Sequence, residues 1–189
     1  VSCSAHAIER GDIKLSNYNA IDLILGLQKN DMNSLKYYKT FTPEMQNALQ
    51  TYTHNHGNII VSGSYIASDM TTDSEKMFLK NILKVTTTES DSANSNLQIN
   101  GLGKQFYLFR SLNEAHYAAT ASDEITPIAG AICAMQYNNG SGAAVGYQGK
   151  DYNSFAVGFP LECITSTKER NDIIRGILNY VMPDTVKSK

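Results

Sequence analysis

The sequence predicts an α/β protein: an open, mostly parallel sheet covered on both faces by helices, interrupted by a β-rich insertion. Three observations carry this. Buried-type strands alternate with capped amphipathic helices in the first half; the middle turns to short alternating runs; a strand and a strongly amphipathic helix close the chain. With 42% hydrophobic residues in 189, the chain suits one domain with a real core. Residues 1–189 are therefore read as a single domain, expected to belong to a longer protein.

Each element has its own signal. Residues 18–26, Y-N-A-I-D-L-I-L-G, read as a buried strand closed by glycine. Thr42-Pro43-Glu44 opens a helix with threonine as cap and proline in the first turn. Met45, Ala48, Leu49 and Tyr52 form its apolar stripe, and Gly57 is expected to stop it. Asn58 to Val61 is the next strand. Thr72-Asp73-Ser74-Glu75 is a capping box for a helix through about Leu83, with Phe78 and Ile82 inward. Residues 86–96 contain no large apolar side chain and read as a solvated loop. Leu97 to Asn100 and Gln105 to Arg110 read as short strands. Residues 130–148 read as a hairpin around Asn138 to Gly142, and Ser154 to Phe159 as a further strand. Ser166-Thr167-Lys168-Glu169 caps the last helix, with Ile173, Ile174, Ile177, Leu178 and Val181 on one face and Pro183 at its end.

Composition excludes some functions. A net charge of −2, with no cluster of Lys or Arg, gives no field for nucleic acid. No apolar run is long enough to cross a bilayer as a helix, so no membrane insertion is expected. Cys3, Cys133 and Cys163 are far apart and odd in number, which argues against a disulfide framework or zinc site; at least two are expected to be small buried residues. Low charge with abundant Asn, Ser, Thr and Tyr leans toward an extracytoplasmic protein.

Chemistry could enter at several places. Asn58 to Met70, N-I-I-V-S-G-S-Y-I-A-S-D-M, brings Ser62, Gly63, Ser64 and Tyr65 to the end of a strand, with Asp69 just beyond. A nucleophile elbow needs small residues on both sides of the serine, and neither Ser62 nor Ser64 has them. The first reading is that the serines and Asp69 satisfy local backbone groups; the second is a strand-end ligand or anion contact, with Gly63 exposing backbone N–H groups. Cys133 lies within an apolar strand rather than at a strand–helix elbow, so its thiol lacks a helix dipole to activate it. His54 and His56 diverge at a helix end with no third ligand nearby, and no metal or cofactor is expected. Glu162 ends G-F-P-L-E before the last helix; with Asp69 or Asp151 it could supply an acid/base pair, Ser64 assisting. Tyr107, Tyr117, Tyr137, Tyr147 and Tyr152 could stack on sugar rings if exposed, though tyrosine is also simply a good strand former.

The order Y-N-A-I-D-L-I-L-G, G-N-I-I-V-S-G-S-Y-I-A-S-D-M, F-L-K-N-I-L-K-V, I-N-G-L-G and G-F-P-L-E resembles a domain of secreted, multidomain bacterial proteins that carry the label xanthan lyase. The resemblance spans residues 18 to 182. It implies a class I glutamine amidotransferase-like, flavodoxin-like fold, a three-layer α/β/α sandwich. Such sandwiches start with a strand, so residues 1–12 would be the loop or helix after one. Those amidotransferases use an elbow cysteine and a His-Pro-Glu dyad. Here Phe159-Pro160-Leu161-Glu162 keeps the proline and the acid, but lacks the histidine, and no Gly-x-Cys-x-Gly elbow exists. A lyase would need a cation for the uronate carboxylate, and Arg110, Arg170 and Arg175 are scattered. The resemblance thus implies a catalytically degenerate module of an extracytoplasmic, carbohydrate-associated protein, with polysaccharide or neighbouring domains as partners. An active polysaccharide lyase or hydrolase working through Ser64, Asp69 and Glu162 is the alternative.

Overall fold

The computed structural model describes residues 1–31, 33, 38–87, 98–109, 111–112 and 117–183. It forms an α/β fold around a mixed seven-stranded sheet. The first helix, α1 (Ala5–Glu9), precedes the edge strand β1 (Ala20–Gly26). There follow α2 (Pro43–His54), β2 (Asn58–Gly63) and α3 (Asp73–Phe78), the last continuing into a π turn over Leu79–Leu83. The middle supplies β3 (Val85–Thr87), β4 (Gln98–Gly101), β5 (Lys104–Tyr107), β6 (Ile125–Pro127), β7 (Ile132–Tyr137) and β8 (Gly142–Gln148). The chain closes with β9 (Asn153–Val157) and α4 (Thr167–Val181).

The sheet order is β1-β2-β9-β8-β7-β4-β5. Only β1, β2 and β9 run parallel; from β9 onward every pairing in the sheet is antiparallel. The expectation of a mostly parallel sheet thus describes one half of it. The insertion does not stand apart from that half but extends it, because the β7–β8 hairpin pairs directly with β9. Thr86 and Thr87, expected in a solvated loop, lie in β3 and pair with β6, since β-branched residues beside buried Val85 suit a short ladder. Most of that expected loop, together with Leu97, lies outside the described residues.

Two cores form, one on each face. Leu23, Ile59 and Val61 join Met45, Leu49 and Tyr52 of α2, along with Phe78, Ile82 and Leu83. Ile60, Phe155 and Val157 join Ile173, Ile177 and Val181 of α4. The alternation along β2 is the physical reason: Ile59 and Val61 point one way, Ile60 the other. Local signals hold at the helix starts. Thr42 Oγ1 accepts from Met45 N–H, Thr72 and Glu75 form a reciprocal capping box, and Ser166 Oγ at the start of α4 accepts from Glu169 N–H.

Three details differ from expectation. The left-handed residue ending α2 is His56 (φ 65°), not Gly57. Gly57 is required for another reason: a Cβ there would lie 2.2 Å from the Tyr52 ring. Leu178 is 37% exposed: α4 buries Ile173, Ile177 and Val181, with Ile174 and Tyr180 packed against the same core, and Leu178 lies at the margin of that stripe. Only Cys163 of the three cysteines is buried; Cys133 is exposed beside exposed Ile132, at the start of β7.

Candidate functional site

The carboxyl ends of β1, β2 and β9 meet at Gly26, Gly63 and Val157, followed by Gly158-Phe159-Pro160. Two corners develop along this edge, each with its own acids.

The first follows β2. Ser64 is fully buried; its N–H donates to Gly26 O at 2.8 Å and its Oγ to Ala121 O at 2.6 Å. Ser62 and Gly63 are buried as well, and a Cβ on Gly63 would press on Leu25 and the Gly26 carbonyl. Tyr65 is half-buried, with the Lys29 ammonium 4.7 Å above its ring. Asp69 accepts from the Asn30 and Thr40 N–H groups, at 3.0 and 2.8 Å. Buried Lys39 donates to the Asp69 carbonyl and lies 3.1 Å from Glu75 Oε1 and 4.0 Å from Asp69 Oδ1. Burial works against the Glu75 carboxylate, but bonds from the Thr72 backbone and Lys39 outweigh it and bring the group below its ordinary range. Asp123, which no sequence signal marked, completes this corner. Its carboxylate accepts from the Ala67 and Ser68 N–H groups, at 2.6 and 3.0 Å, and burial nonetheless raises its pKa.

The second corner lies between β1 and the start of α4. Glu162 occupies the 3-10 turn Leu161–Cys163 and is half-buried. Tyr117 Oη donates to Glu162 Oε1 at 2.5 Å, while Glu162 Oε2 is buried with no hydrogen-bond partner. Gly26, at φ +54°, lies directly beneath: a Cβ there would come within 2.9 Å of Tyr117 Oη and 3.6 Å of Glu162 Oε1. Asp22, on β1, keeps part of its surface in water. Desolvation of its carboxyl, and then the charge of Glu162, push its pKa up to about 6. Burial, the bond to Glu162 and the neighbouring charge hold Tyr117 well above the ordinary tyrosine range, so it stays a proton donor. Cys163 is raised to about 11 by burial and Glu162, so its thiol stays protonated and inert.

The structure therefore separates the predicted residues. Ser62, Gly63, Ser64 and Asp69 belong to the first corner and Glu162 to the second. Arg170 reaches the second corner only by donating to the Glu162 carbonyl, at 3.3 Å; Arg175 pairs with Asp172. Arg110 lies outside the described residues. Asp151 offers its carbonyl to the His56 ring, far along the sheet from this edge. Of the tyrosines, Tyr137 is buried, Tyr147 and Tyr152 stack on each other at 5.5 Å, and Tyr107 is half exposed on β5. Sequence reasoning passed over Asp22, although a lone acid inside the apolar run I-D-L-I-L is a signal that could have marked it. Among the described residues no cluster of His, Cys, Asp and Glu could hold a metal ion, and no helix is long and apolar enough to cross a membrane.

No family model matches the chain, and no curated protein does either. Solved structures do share its fold. An exo-β-1,4-mannosidase from an Opitutaceae bacterium superposes with a TM-score of 0.51 at 11% identity, over 87% of this chain. This chain spans 24% of that enzyme's length. A cytoplasmic protein from Salmonella typhimurium superposes with a TM-score of 0.53 at 13% identity, over 95% of this chain and 76% of its own. At such identities the likeness speaks for the fold alone.

Proposed function

We propose that this chain is a catalytically degenerate, glycan-associated module of an extracytoplasmic protein, built as an amidotransferase-like three-layer sandwich. One observation carries the reading: the hydroxyls and thiol that could act as nucleophiles at the sheet edge are buried or inert, the unpartnered Ser62 Oγ included. Ser64 Oγ is buried and donates to a backbone carbonyl, and the Cys163 thiol is held protonated. What remains for recognition is the second corner, where Asp22 is exposed and Glu162 Oε2 is buried but unpartnered. There a phenol donor and carboxylate acceptors, one of them the unpartnered Glu162 Oε2, suit the hydroxyls of a sugar. The likeness to one segment of a mannosidase fits such an accessory role without assigning the enzyme's activity. Calorimetric titration with neutral and uronate-containing oligosaccharides is the test. Binding that weakens about tenfold or more in Glu162→Gln supports the reading, as loss of a charge-assisted bond at the site requires. Turnover of a glycan by the wild-type chain would overturn it.

One observation favours an active hydrolase or lyase instead. Desolvation, and then the charge of Glu162, raise Asp22 to about 6, and a carboxyl raised in this way beside a second one suits a general acid. In that case Asp22, not Asp69, partners Glu162. Reducing-end release lost equally in Asp22→Asn and Glu162→Gln would establish it.

A further inference from the structure

The two edges of the main sheet are finished differently. At the β5 edge, Phe109 N–H donates to Cys163 O and Thr165 N–H to Tyr107 O, both at 2.9 Å, and Leu108 bridges Ile164. The chain itself thus closes the Tyr107 end of that edge. At the other end β1 pairs with β2 alone, and among the described residues no strand or loop bonds along its outer side. A seven-residue strand thus presents a row of backbone donors and acceptors to solvent. Natural edges are usually guarded by charged side chains, lysine above all, by proline or by a covering loop, and Asp22 is the one charge on β1. Here β1 carries no lysine or proline, and Ile24 is 67% exposed.

A groove of about 510 Å³ runs along this edge, between β1 and the segment around α1. Its floor is apolar, with Ile8, Ile13, Ile21 and Leu25 packed against the α2-side core. Its charged lining side chains are both acids, Glu9 and Asp22. Glu9 already accepts from Thr42 Oγ1 and pairs with His6, whereas Asp22 meets no cation among the described residues. The backbone row calls for an extended chain, the floor for apolar side chains at alternate positions, and the acidic lining for a cation.

We propose that the outer edge of β1 takes an extended segment of a separate polypeptide as an added strand, apolar at alternate positions and with a lysine or arginine placed to reach Asp22. The backbone supplies affinity, and the apolar floor with Asp22 sets register and choice of partner. A second copy of the chain fits less well, because it would bring a second set of the same acids to the groove.

The probe is a fluorescent Val-Thr-Val-Lys-Val-Thr-Val peptide, followed by anisotropy against the wild-type chain. Saturable binding is expected. It should fall at least about tenfold when alternate peptide nitrogens are methylated, since that removes the backbone donors. It should also fall in Asp22→Lys, whose folding is verified by circular dichroism. Absence of saturable binding overturns the proposal. So does equal binding of the methylated peptide, which indicates apolar adsorption. A concentration-dependent dimer in sedimentation, abolished by Asp22→Lys, would give the edge to a second copy and overturn it too. Glycan binding at Glu162 is measured separately, so neither result stands in for the other.

Discussion

Two corners of one sheet edge hold acids under opposite conditions. In the corner after β2, every acid has donors for its carboxylate, the Lys39 ammonium for Asp69 and Glu75 and N–H groups from Asn30, Thr40, Ala67 and Ser68, although burial still raises Asp123. In the corner between β1 and α4, Glu162 has one tyrosine hydroxyl, an unpartnered second oxygen and another acid for a neighbour. The first arrangement is what stability asks of buried carboxylates. The second leaves acceptor capacity unused, which is what a ligand needs. The acids with the more conspicuous sequence context are thus structural, while the unpartnered acceptor lies at the less conspicuous one.

The largest test of that contrast removes the cation. Lys39 is 5% exposed, so Lys39→Met leaves Asp69 and Glu75 nearly buried without their counter-charge. Breaking a buried ion pair on one side costs about 3–5 kcal/mol, which is expected here as a lower urea midpoint at unchanged slope. A loss below about 1 kcal/mol would mean that the N–H donors alone hold the corner together.

Ser64→Ala comes next. If Ser64 is a structural donor, its loss strands the buried Ala121 carbonyl and costs about 1–3 kcal/mol. Glycan binding measured well below the melting temperature should not change. A binding defect without a stability defect would move Ser64 into the site and erase the division between the corners.

Much of the scaffold was legible because its signals are local. Thr42-Pro43 and Thr72 to Glu75 cap their helices through bonds three residues long, and β2 declares itself by a short apolar run. Even the surprise at Gly57 is a local one, a glycine demanded by a ring five residues back. The site was less legible because its geometry is set by distant segments. Tyr117 meets Glu162 across 45 positions, and Asp123 meets Ala67 across 56. No spacing rule reaches that far, so Asp69 and Glu162 looked equally available in the sequence. The strand directions beyond β9 were hidden for a related reason: short alternating runs specify a strand but not its neighbour.

The smallest expected effect probes the open corner most directly. Asp22 is raised from its ordinary 3.8 to about 6, so between those values the folded chain binds more proton than the unfolded one. Stability must then fall as pH rises through that window, and stay lowered above it. Asp22→Asn removes the titration, so wild type and variant should converge near pH 4 and separate by pH 7, with the variant the more stable. Because Asp22 keeps contact with water, the separation is on the order of 1 kcal/mol or less, far below what the same shift would mean in a dry core. Melting temperatures of the two proteins across that range decide it. Parallel curves would show that the Asp22 carboxyl feels neither burial nor Glu162, and the second corner would then be two independent surface acids rather than one site.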